Sequence, residues 1–379
     1  MKVAFLSSYD PTSTGSWSGT PYYMLSALKR HNIDVKVLGP INSLTKPFLK
    51  AFKLFLKLFG INYDYSYSSI LSYEYAFRFN KILKKISDVD FIIAPAGSTQ
   101  IAHLKTNIPI LYLSDTTYDQ LKKYYSNFNS INDSFHYQGS KIERAALNNA
   151  AIVSFPSDWA AEFCVKHYKL PESKVKKLLW GANIVEPNAH PKIRTQDDDK
   201  SFTLLFLGVD WERKGGKVAL EAVEYLRKSK NIDAKLIVCG CTPETSELPD
   251  WVEVTGRLNK DIPSDMTIFK NVLMKSDVLL LPTIAECYGM VFCEAAAYGM
   301  PVVATNTGGI SSIVVEGETG LLIDDPTDSQ AFANSIYEII NNFDNYNRYS
   351  NNAFERYHSH LNWDAWAKKI IELMYCLLY

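Results

Sequence analysis

The chain has 379 residues, of which 47% are hydrophobic and 21% charged, and its formal net charge is −1 at pH 7. That length exceeds what one ordinary hydrophobic core supports and predicts two globular domains. The near-neutral charge argues against nucleic acid as the main partner. The six cysteines have no zinc-site spacing, and no apolar run approaches the length of a membrane span. We therefore expect a cytoplasmic protein with reduced thiols and no bound metal, either soluble or held peripherally at the inner face of the membrane.

The first half of the chain alternates short apolar strands with helices. Val3 to Leu6 predicts a strand, and a loop rich in Ser, Thr and Gly follows it as far as Gly19. Thr20 is predicted as an N-cap with Pro21 at the first helical position. Because ligands bind at the carboxyl ends of strands in an open α/β sheet, this loop is expected to face a cleft. Gly19 is either a ligand contact or a plain residue of a flexible loop.

Residues 47–60, with the sequence PFLKAFKLFLKLFG, predict a helix that is both basic and aromatic. Four lysines, including Lys46 just before this segment, recur at helical spacing among four phenylalanines and several leucines. Such a helix could lie in the interface of an anionic membrane. The alternative is a packed surface helix whose lysines simply face water.

Asp115 lies in a polar loop directly after the predicted strand Ile110 to Leu113. A carboxylate at the carboxyl end of a strand is a candidate contact for a ligand or a candidate catalytic group. The alternative is that Asp115 is the N-cap of the helix that runs through Leu121. Farther along the chain, Glu143 and Arg144 are predicted to be a solvated pair on a helix.

A polar segment at residues 187–200 predicts a linker between a first domain of residues 1–186 and a second of residues 201–362. The second domain starts with the strand Phe202 to Leu207, and a glycine-rich loop carrying Arg213 and Lys214 follows. The loop is not the GxGxxG fingerprint, which argues against a nicotinamide cofactor. Two adjacent cations at a strand's carboxyl end could neutralise a diphosphate, whereas the alternative is a solvated basic turn.

The strongest pattern follows the buried strand predicted at Val278 to Leu281, which Pro282 ends. The next loop carries Glu286, and a helix predicted from Met290 to Tyr298 contains Glu294. Two carboxylates on either side of a helix start suit a ligand with hydroxyls on both sides of a phosphate, such as a nucleotide sugar. The alternative is that Glu294 is solvated on the outer face of an ordinary helix.

Gly289 stands immediately before this helix. A glycine there lets the backbone approach a ligand closely. The first N–H groups of the helix, those of Met290 and Val291, have no partner within the helix and form a candidate phosphate site. With cations and the helix dipole to stabilise a leaving diphosphate, no metal is expected to be required.

Glu286 and Glu294 have the spacing of an E-x7-E motif, and the chain closely resembles retaining glycosyltransferases of family 4. The segment SDWAAEF at 157–163 and the GAN turn at 181–183 resemble one branch of that family. The resemblance implies the GT-B arrangement, in which two Rossmann-like domains face each other across a cleft. It also implies that the first domain binds the acceptor and that the last helix, residues 363–379, packs back on it.

The resemblance implies a role for each glycine-loop and turn residue of the donor site. Gly19 would lie against the donor phosphates and the acceptor, and Gly208 would bind the donor. The turn at Arg257 and Leu258 would lie beside the nucleotide base, and Asp115 would contact the acceptor or the reacting sugar. The family usually has an arginine where this chain has Val209, and Arg213 is a conjectured substitute.

The two acids would each hold hydroxyl groups of the donor. Glu294 would bind those of the ribose and Glu286 those of the transferred sugar, and we do not assign Glu286 as a covalent nucleophile. The expected activity is the retaining transfer of a hexose from a nucleotide-diphosphate sugar to a glycan, lipid-linked or protein acceptor, in cell-surface polysaccharide or glycoconjugate biosynthesis.

Two alternatives remain open at this point. One is a glycosyl phosphorylase or disaccharide synthase on the same fold, which would use inorganic phosphate or a free sugar. The other is a non-catalytic partner subunit that only binds a nucleotide sugar. Retention of Lys214, Glu286 and Glu294 together argues against a decayed site.

Overall fold

The structure is a computed structural model that describes residues 1–86, 88–122, 124–185, 190–195, 201–243 and 247–378. The chain divides into two compact units. Unit 1 comprises Met1–Leu178 and Ala367–Tyr379, and unit 2 comprises Leu179–Trp366. The predicted domain limits at residues 186, 201 and 362 stay predictions. Residues 186–189 and 196–200, at and within the predicted linker, lie outside the described residues.

Unit 1 is built on a six-stranded parallel sheet with the order β2-β1-β3-β4-β5-β6. Its central strands are fully buried, as expected when helices cover both faces of a parallel sheet. The strands are β1 Lys2–Leu6, β2 Asp34–Leu38, β3 Phe91–Pro95, β4 Ile110–Leu113, β5 Ile152–Phe155 and β6 Val175–Lys177.

Among the described residues, eight α-helices connect and follow these strands, and apolar side chains of several of them form the core of unit 1 with the sheet. They are α1 Thr20–Arg30, α2 Lys46–Lys57, α3 Ser69–Leu83, α4 Ser98–Ile101, α5 Tyr118–Leu121, α6 Ser126–Asn129, α7 Asp133–Asn149 and α8 Asp158–Tyr168. The last helix of the chain runs from Trp363 to Leu378, and its residues from Ala367 onward belong to unit 1.

Unit 2 is a second six-stranded parallel sheet with the order β12-β11-β10-β7-β8-β9. Its strands are β7 Phe202–Leu207, β8 Ala234–Cys239, β9 Val252–Gly256, β10 Val278–Leu281, β11 Val302–Thr305 and β12 Gly320–Ile323. Its helices are α9 Gly216–Ser229, α10 Pro263–Lys275, α11 Met290–Ala296, α12 Ser329–Ile340 and α13 Phe343–Ser359, and the final helix Trp363–Leu378 is α14. The prediction of two α/β, Rossmann-like domains is confirmed.

Two predicted helix ends were wrong by one or two residues. The N-cap of α1 is Gly19, with a φ of 83°, and Thr20 is already the first helical residue. Helix α11 ends at Ala296 and not at Tyr298. Both shifts have the size usual for helix ends, where the pattern of apolar residues carries least information.

The prediction that Glu143 is solvated was wrong, because its side chain faces the sheet. Only 1% of the residue is exposed, and its carboxylate accepts a hydrogen bond from the hydroxyl of Tyr112 on β4 at 3.1 Å. Burial raises the pKa of Glu143 to about 7. Arg144, the next residue, donates instead to the carbonyl of Tyr168 at 3.1 Å.

Helix α2 buries two of its residues, Leu49 and Leu56, and the partly exposed ring of Phe52 also contacts the ring of Tyr63. Glu74 on α3 accepts from the backbone N–H groups of Leu44 and Thr45 and so fixes the start of the helix. The lysines and most of the large apolar side chains of this region are exposed, the latter being Leu44, Phe48, Phe52, Leu54, Phe55, Leu58 and Phe59. Among the helices that the structure describes, none is long and apolar enough to cross a membrane.

Candidate functional site

The site in unit 2 lies where two neighbouring strands, β7 and β10, end at the same edge of the sheet. Strands β8 and β9 follow β7 on one side, and β10 to β12 lie on the other, so the connections diverge between β7 and β10. In open α/β sheets such a switch point forms a ligand-binding crevice.

The loops after β7 and β10 are joined by backbone contacts. Ile284 donates its N–H to the carbonyl of Arg213 at 2.8 Å. Gly215 has a φ of 76°, and a Cβ atom there would be 2.0 Å from the carbonyl oxygen of Pro282. A glycine is therefore required for the two loops to meet.

Lys214 and Glu286 form an ion pair between these two loops. Arg213 joins them, since its guanidinium lies 3.8 Å from the Glu286 carboxylate and donates to the carbonyl of Ala285 at 2.7 Å. Only 7% of the Lys214 side chain is exposed. The alternative of a solvated basic turn is therefore wrong for Lys214, and the site brings together the two cations and the first predicted acid.

The backbone around Glu286 is held from two directions. The hydroxyl of Tyr288 accepts from the N–H of Trp180 at 3.0 Å and donates to its carbonyl at 3.1 Å. Gly309, in the turn after β11, donates its N–H to the carbonyl of Glu286 at 3.3 Å. Gly289 has a φ of 94°, and a Cβ there would be 2.5 Å from the Phe292 ring. This turn thus requires glycine and aims the Glu286 side chain at Lys214.

Glu294 is buried, with 4% of its side chain exposed, so the alternative of an outer, solvated position is wrong. The ammonium group of Lys260 lies 2.5 Å from its carboxylate and also donates to the carbonyl of Asn183 at 3.1 Å. Burial raises the pKa of Glu294, while the charges of Lys260 and Lys214 oppose that rise. The second acid is therefore electrostatically linked to the first cluster through Lys214.

Lys260 was missed by sequence reasoning, which stopped at Arg257 and Leu258 in the same turn. The sequence pattern that could have identified Lys260 is a cation shortly after the end of a strand, the same pattern that identified Lys214. The GAN turn explains its other contact. Gly181 lets the turn pass the backbone of Trp363, because a Cβ at Gly181 would be 2.2 Å from the Trp363 nitrogen.

The other predicted residues of unit 2 lie just after β7, just after β9 and at the start of α11. Gly208 is buried, and a Cβ there would be 3.0 Å from the Lys214 side chain. Met290 and Val291 are half-buried at the start of α11. Arg257 is exposed and Leu258 is half-buried after β9. The roles predicted for these residues are carried forward as predictions.

Asp115 in unit 1 is not a helix cap, so that alternative is wrong. The N-cap of α5 is Thr117, whose side chain and that of Gln120 form a capping box. Asp115 is half-buried at the carboxyl end of β4 and lies close enough to Tyr9 to help raise the pKa of its hydroxyl, after the larger effect of burial. Gly19, after β1, is buried. Both residues follow strands of unit 1 at their carboxyl ends.

The described residues contain no candidate metal-binding cluster. No group of three or more His, Cys, Asp or Glu side chains there is arranged to hold a metal ion. The histidines are instead found in contacts such as that of His167 with Asp119, at 2.9 Å.

A family model matches residues that lie within the second unit. Residues 190–356 match the family model described as glycosyl transferases group 1. A D-inositol 3-phosphate glycosyltransferase from Corynebacterium diphtheriae is 27% identical over 234 residues, 58% of this chain and 54% of that protein. Another from Paenarthrobacter aurescens is 30% identical over 214 residues, 52% of each chain. The chain thus spans about half the length of these curated relatives.

Solved structures resemble the entire chain. A sucrose-phosphate synthase from Thermosynechococcus elongatus has a TM-score of 0.71 at 18% identity, covering 100% of this chain and 99% of the other. HepE from Anabaena, in complex with UDP and glucose, has a TM-score of 0.65 at 17% identity and covers 99% and 100%. The chain therefore has the GT-B fold of glycosyltransferases, and its residues 190–356 match the glycosyl transferases group 1 family.

Proposed function

We propose that this protein is a retaining glycosyltransferase that moves a hexose from a nucleotide-diphosphate sugar to a hydroxyl-bearing acceptor. The observation that carries this proposal is the buried cluster of Lys214, Arg213 and Glu286 at the switch point of unit 2. The family match over residues 190–356 and the names of the curated relatives support the same activity.

The two cations would neutralise the donor diphosphate. Lys214 forms an ion pair with Glu286, and Arg213 donates a hydrogen bond to the Ala285 carbonyl. Both positive charges are therefore oriented before a ligand binds. A cation fixed in a partly dry site stabilises a leaving diphosphate more than a mobile one, because it needs no reorganisation. The N–H groups of Met290 and Val291 would add hydrogen bonds to a phosphate. On this proposal, departure of the leaving group requires no metal.

The two acids would recognise hydroxyls at opposite ends of the donor. Glu294 would accept hydrogen bonds from the ribose hydroxyls after Lys260 moves away from its carboxylate. Glu286 would bind the transferred sugar. Gly208, Arg257 and Leu258 would line the phosphates and the base. Retention would follow from attack of the acceptor on the face that the diphosphate leaves, through an oxocarbenium-like state. Glu286 is already engaged with two cations, so we propose no covalent role for it.

The acceptor would bind to unit 1, near Gly19 and Asp115, and would be a glycan, a lipid-linked molecule or a protein. Helix α2, with exposed phenylalanines and lysines, would hold the enzyme at the anionic inner face of the membrane. On this proposal the protein works in the cytoplasm, in the synthesis of a cell-surface polysaccharide or glycoconjugate.

Thermal unfolding with a panel of UDP-, GDP- and ADP-sugars, with chelator and then with manganese, tests the donor site. A donor at a hundred times its dissociation constant stabilises the folded protein by about 2.7 kcal/mol. We expect a rise in the midpoint with one nucleotide and equal rises with chelator and manganese. A rise that needs manganese would contradict metal independence, and no rise with any donor would contradict the donor site.

The catalytic assignment is tested separately with Glu286→Ala. We expect this variant to lose transfer and donor hydrolysis, because Lys214 loses its partner and the transferred sugar loses a contact. Glu212→Ala in the same loop as Lys214 is the control. Unchanged turnover by Glu286→Ala would show that the assignment is wrong.

A further inference from the structure

Unit 1 has its own switch point, between β1 and β3. Strand β2 lies on one side of β1, and β3 to β6 follow on the other. The same rule that locates the crevice of unit 2 therefore selects the loops after β1 and β3 in unit 1. These loops carry Ser8 and Tyr9 after β1, and Gln100 after β3.

Gln100 is 5% exposed, and its amide N–H group donates to the hydroxyl of Ser8. Its amide oxygen is buried and has no hydrogen-bond partner among the described residues. Leaving a buried carbonyl oxygen without a donor is unfavourable, and native structures seldom do so without a reason. A ligand hydroxyl is a donor that would satisfy it, and the half-buried Ser8 is the adjoining group a ligand reaches.

Two further groups complete this edge. Tyr9 is 40% exposed, and the charge of Asp115, which follows the adjacent strand β4, acts on its hydroxyl. The edge thus offers hydroxyls, an amide and carboxylates, Asp115 among them, and all of these groups pair with hydroxyl groups of a ligand.

The segments that follow β1, β3 and β4 contain no lysine or arginine: they read SSYDPTSTGSWSG from Ser7, AGSTQ from Ala96, which runs into the short helix α4, and SDTT from Ser114. Phosphate groups are recognised by cations and by helix N-termini, and a carboxylate such as Asp115 repels them. The curated relatives are named for D-inositol 3-phosphate, a phosphorylated compound. The strand-end chemistry of unit 1 in this chain is suited to an uncharged ligand instead.

We infer that Ser8, Gln100 and Asp115 form an acceptor subsite for a neutral polyol, the uncharged hydroxyl-bearing sugar ring of a glycan or glycolipid. This inference rests on the proposed function and deepens it by naming the chemical class of the acceptor. Gln100 and Ser8 are positioning and specificity residues, which hold the ring so that one of its hydroxyls can approach Asp115.

The first test measures direct binding without a donor, by saturation-transfer NMR on the full chain. The probes are the methyl glycosides of glucose, galactose and N-acetylglucosamine, compared with glucose 6-phosphate and inositol 3-phosphate. We expect signals from at least one methyl glycoside, a fivefold or greater loss of that signal in Gln100→Ala, and weaker signals from both phosphates. Asn107→Ala, an exposed amide before β4 at the opposite edge of the same sheet, should bind like the wild type.

Binding of the phosphates in preference to the glycosides, binding of neither set, or equal binding by Gln100→Ala would each overturn the inference. Failure of the proposed function is a different result, namely the absence of any stabilisation by nucleotide sugars. With an identified donor, a kinetic test also separates the two: Gln100→Ala should raise the KM of the acceptor about tenfold while the KM of the donor stays within twofold. A rise confined to the donor KM would overturn the inference.

Discussion

The two units have related sheets but opposite chemistry at their switch points. In unit 2 the crevice between β7 and β10 contains Lys214, Arg213 and Glu286 in mutual contact. In unit 1 the crevice between β1 and β3 contains hydroxyls and the amide of Gln100. Strand order fixes where a ligand can bind in each sheet, whereas the side chains of the strand-end loops decide what kind of ligand it is.

The comparison explains how one fold can serve two substrates of different charge. Cations in unit 2 suit a diphosphate, and their carboxylate partners keep them ordered in the free protein. The segments that follow β1, β3 and β4 in unit 1 contain no lysine or arginine, which suits an uncharged acceptor that contributes a hydroxyl and does not compete for the phosphate contacts.

The largest effect is expected from Lys214→Ala, which removes the buried cation of unit 2. Loss of one group that stabilises developing charge lowers kcat about 100- to 1000-fold. Steady-state turnover of the donor identified by thermal unfolding measures the change. Lys217→Ala is the matched control, because Lys217 lies nearby in the chain but its side chain is 83% exposed. Comparable loss in both variants would mean that the position of the cation does not matter.

The next effect is on stability and concerns the second ion pair of unit 2. Lys260→Met leaves the Glu294 carboxylate buried without its principal cation, which is expected to lower the free energy of unfolding by about 3 kcal/mol. The double variant Lys260→Met/Glu294→Gln should recover most of the loss, because the uncompensated charge is gone. Urea unfolding at pH 8 measures both.

A matched pair in unit 1 provides the control for that experiment. Lys122 and Asp133 are 2.6 Å apart, but Asp133 is 94% exposed. Lys122→Met should therefore cost less than about 1 kcal/mol. If Lys260→Met lowers the free energy of unfolding no more than Lys122→Met does, burial does not make the Lys260–Glu294 pair more important for stability than an exposed pair.

Much of the fold was predictable because buried parallel strands appear in the sequence as short, continuous apolar runs. Val278–Leu281 and Ile110–Leu113 were located to the residue in this way. The two cations of the loop after β7 were predictable from their place in a glycine-rich turn at a strand end, and both do lie beside Glu286, while a phosphate site there stays a prediction. Gly289, predicted to stand immediately before a helix, is the N-cap of α11 and has a left-handed conformation.

Other features of the fold and of the site could not be predicted from the sequence, because they depend on contacts between distant parts of the chain. Lys260 and Glu294 are 34 residues apart, and no local pattern pairs them. Glu143 looked solvated because its neighbours on the helix are polar, yet the helix turns it toward Tyr112. The unsatisfied oxygen of Gln100 is visible only once its surroundings are known.

Glu143 predicts a pH dependence for unit 1. Its pKa is about 7 in the folded protein, raised by burial above the ordinary value of 4.5. The folded state therefore binds the proton more tightly, and stability is highest below pH 4.5 and falls as the pH rises through 7. The total change is about 3 kcal/mol. Glu143→Gln should remove this contribution, so its stability should fall less than that of the wild type between pH 4.5 and 8 in urea unfolding. Parallel curves for the two proteins would contradict the assignment.

The smallest effect per substitution is expected at helix α2, where unit 1 exposes phenylalanines beside lysines. Each of Lys50→Ala, Lys53→Ala and Lys57→Ala should weaken binding to vesicles of anionic lipid by about 1 kcal/mol, or roughly fivefold, because each lysine near such a surface contributes that much. Co-sedimentation at low and high salt measures this. Lys275→Ala is the control, since Lys275 is an exposed lysine beside the exposed Met274 on α10 of unit 2. Replacing all three α2 lysines with glutamate should abolish binding, whereas unchanged binding by that triple variant would mean that α2 faces water and that unit 1 meets its acceptor away from the membrane.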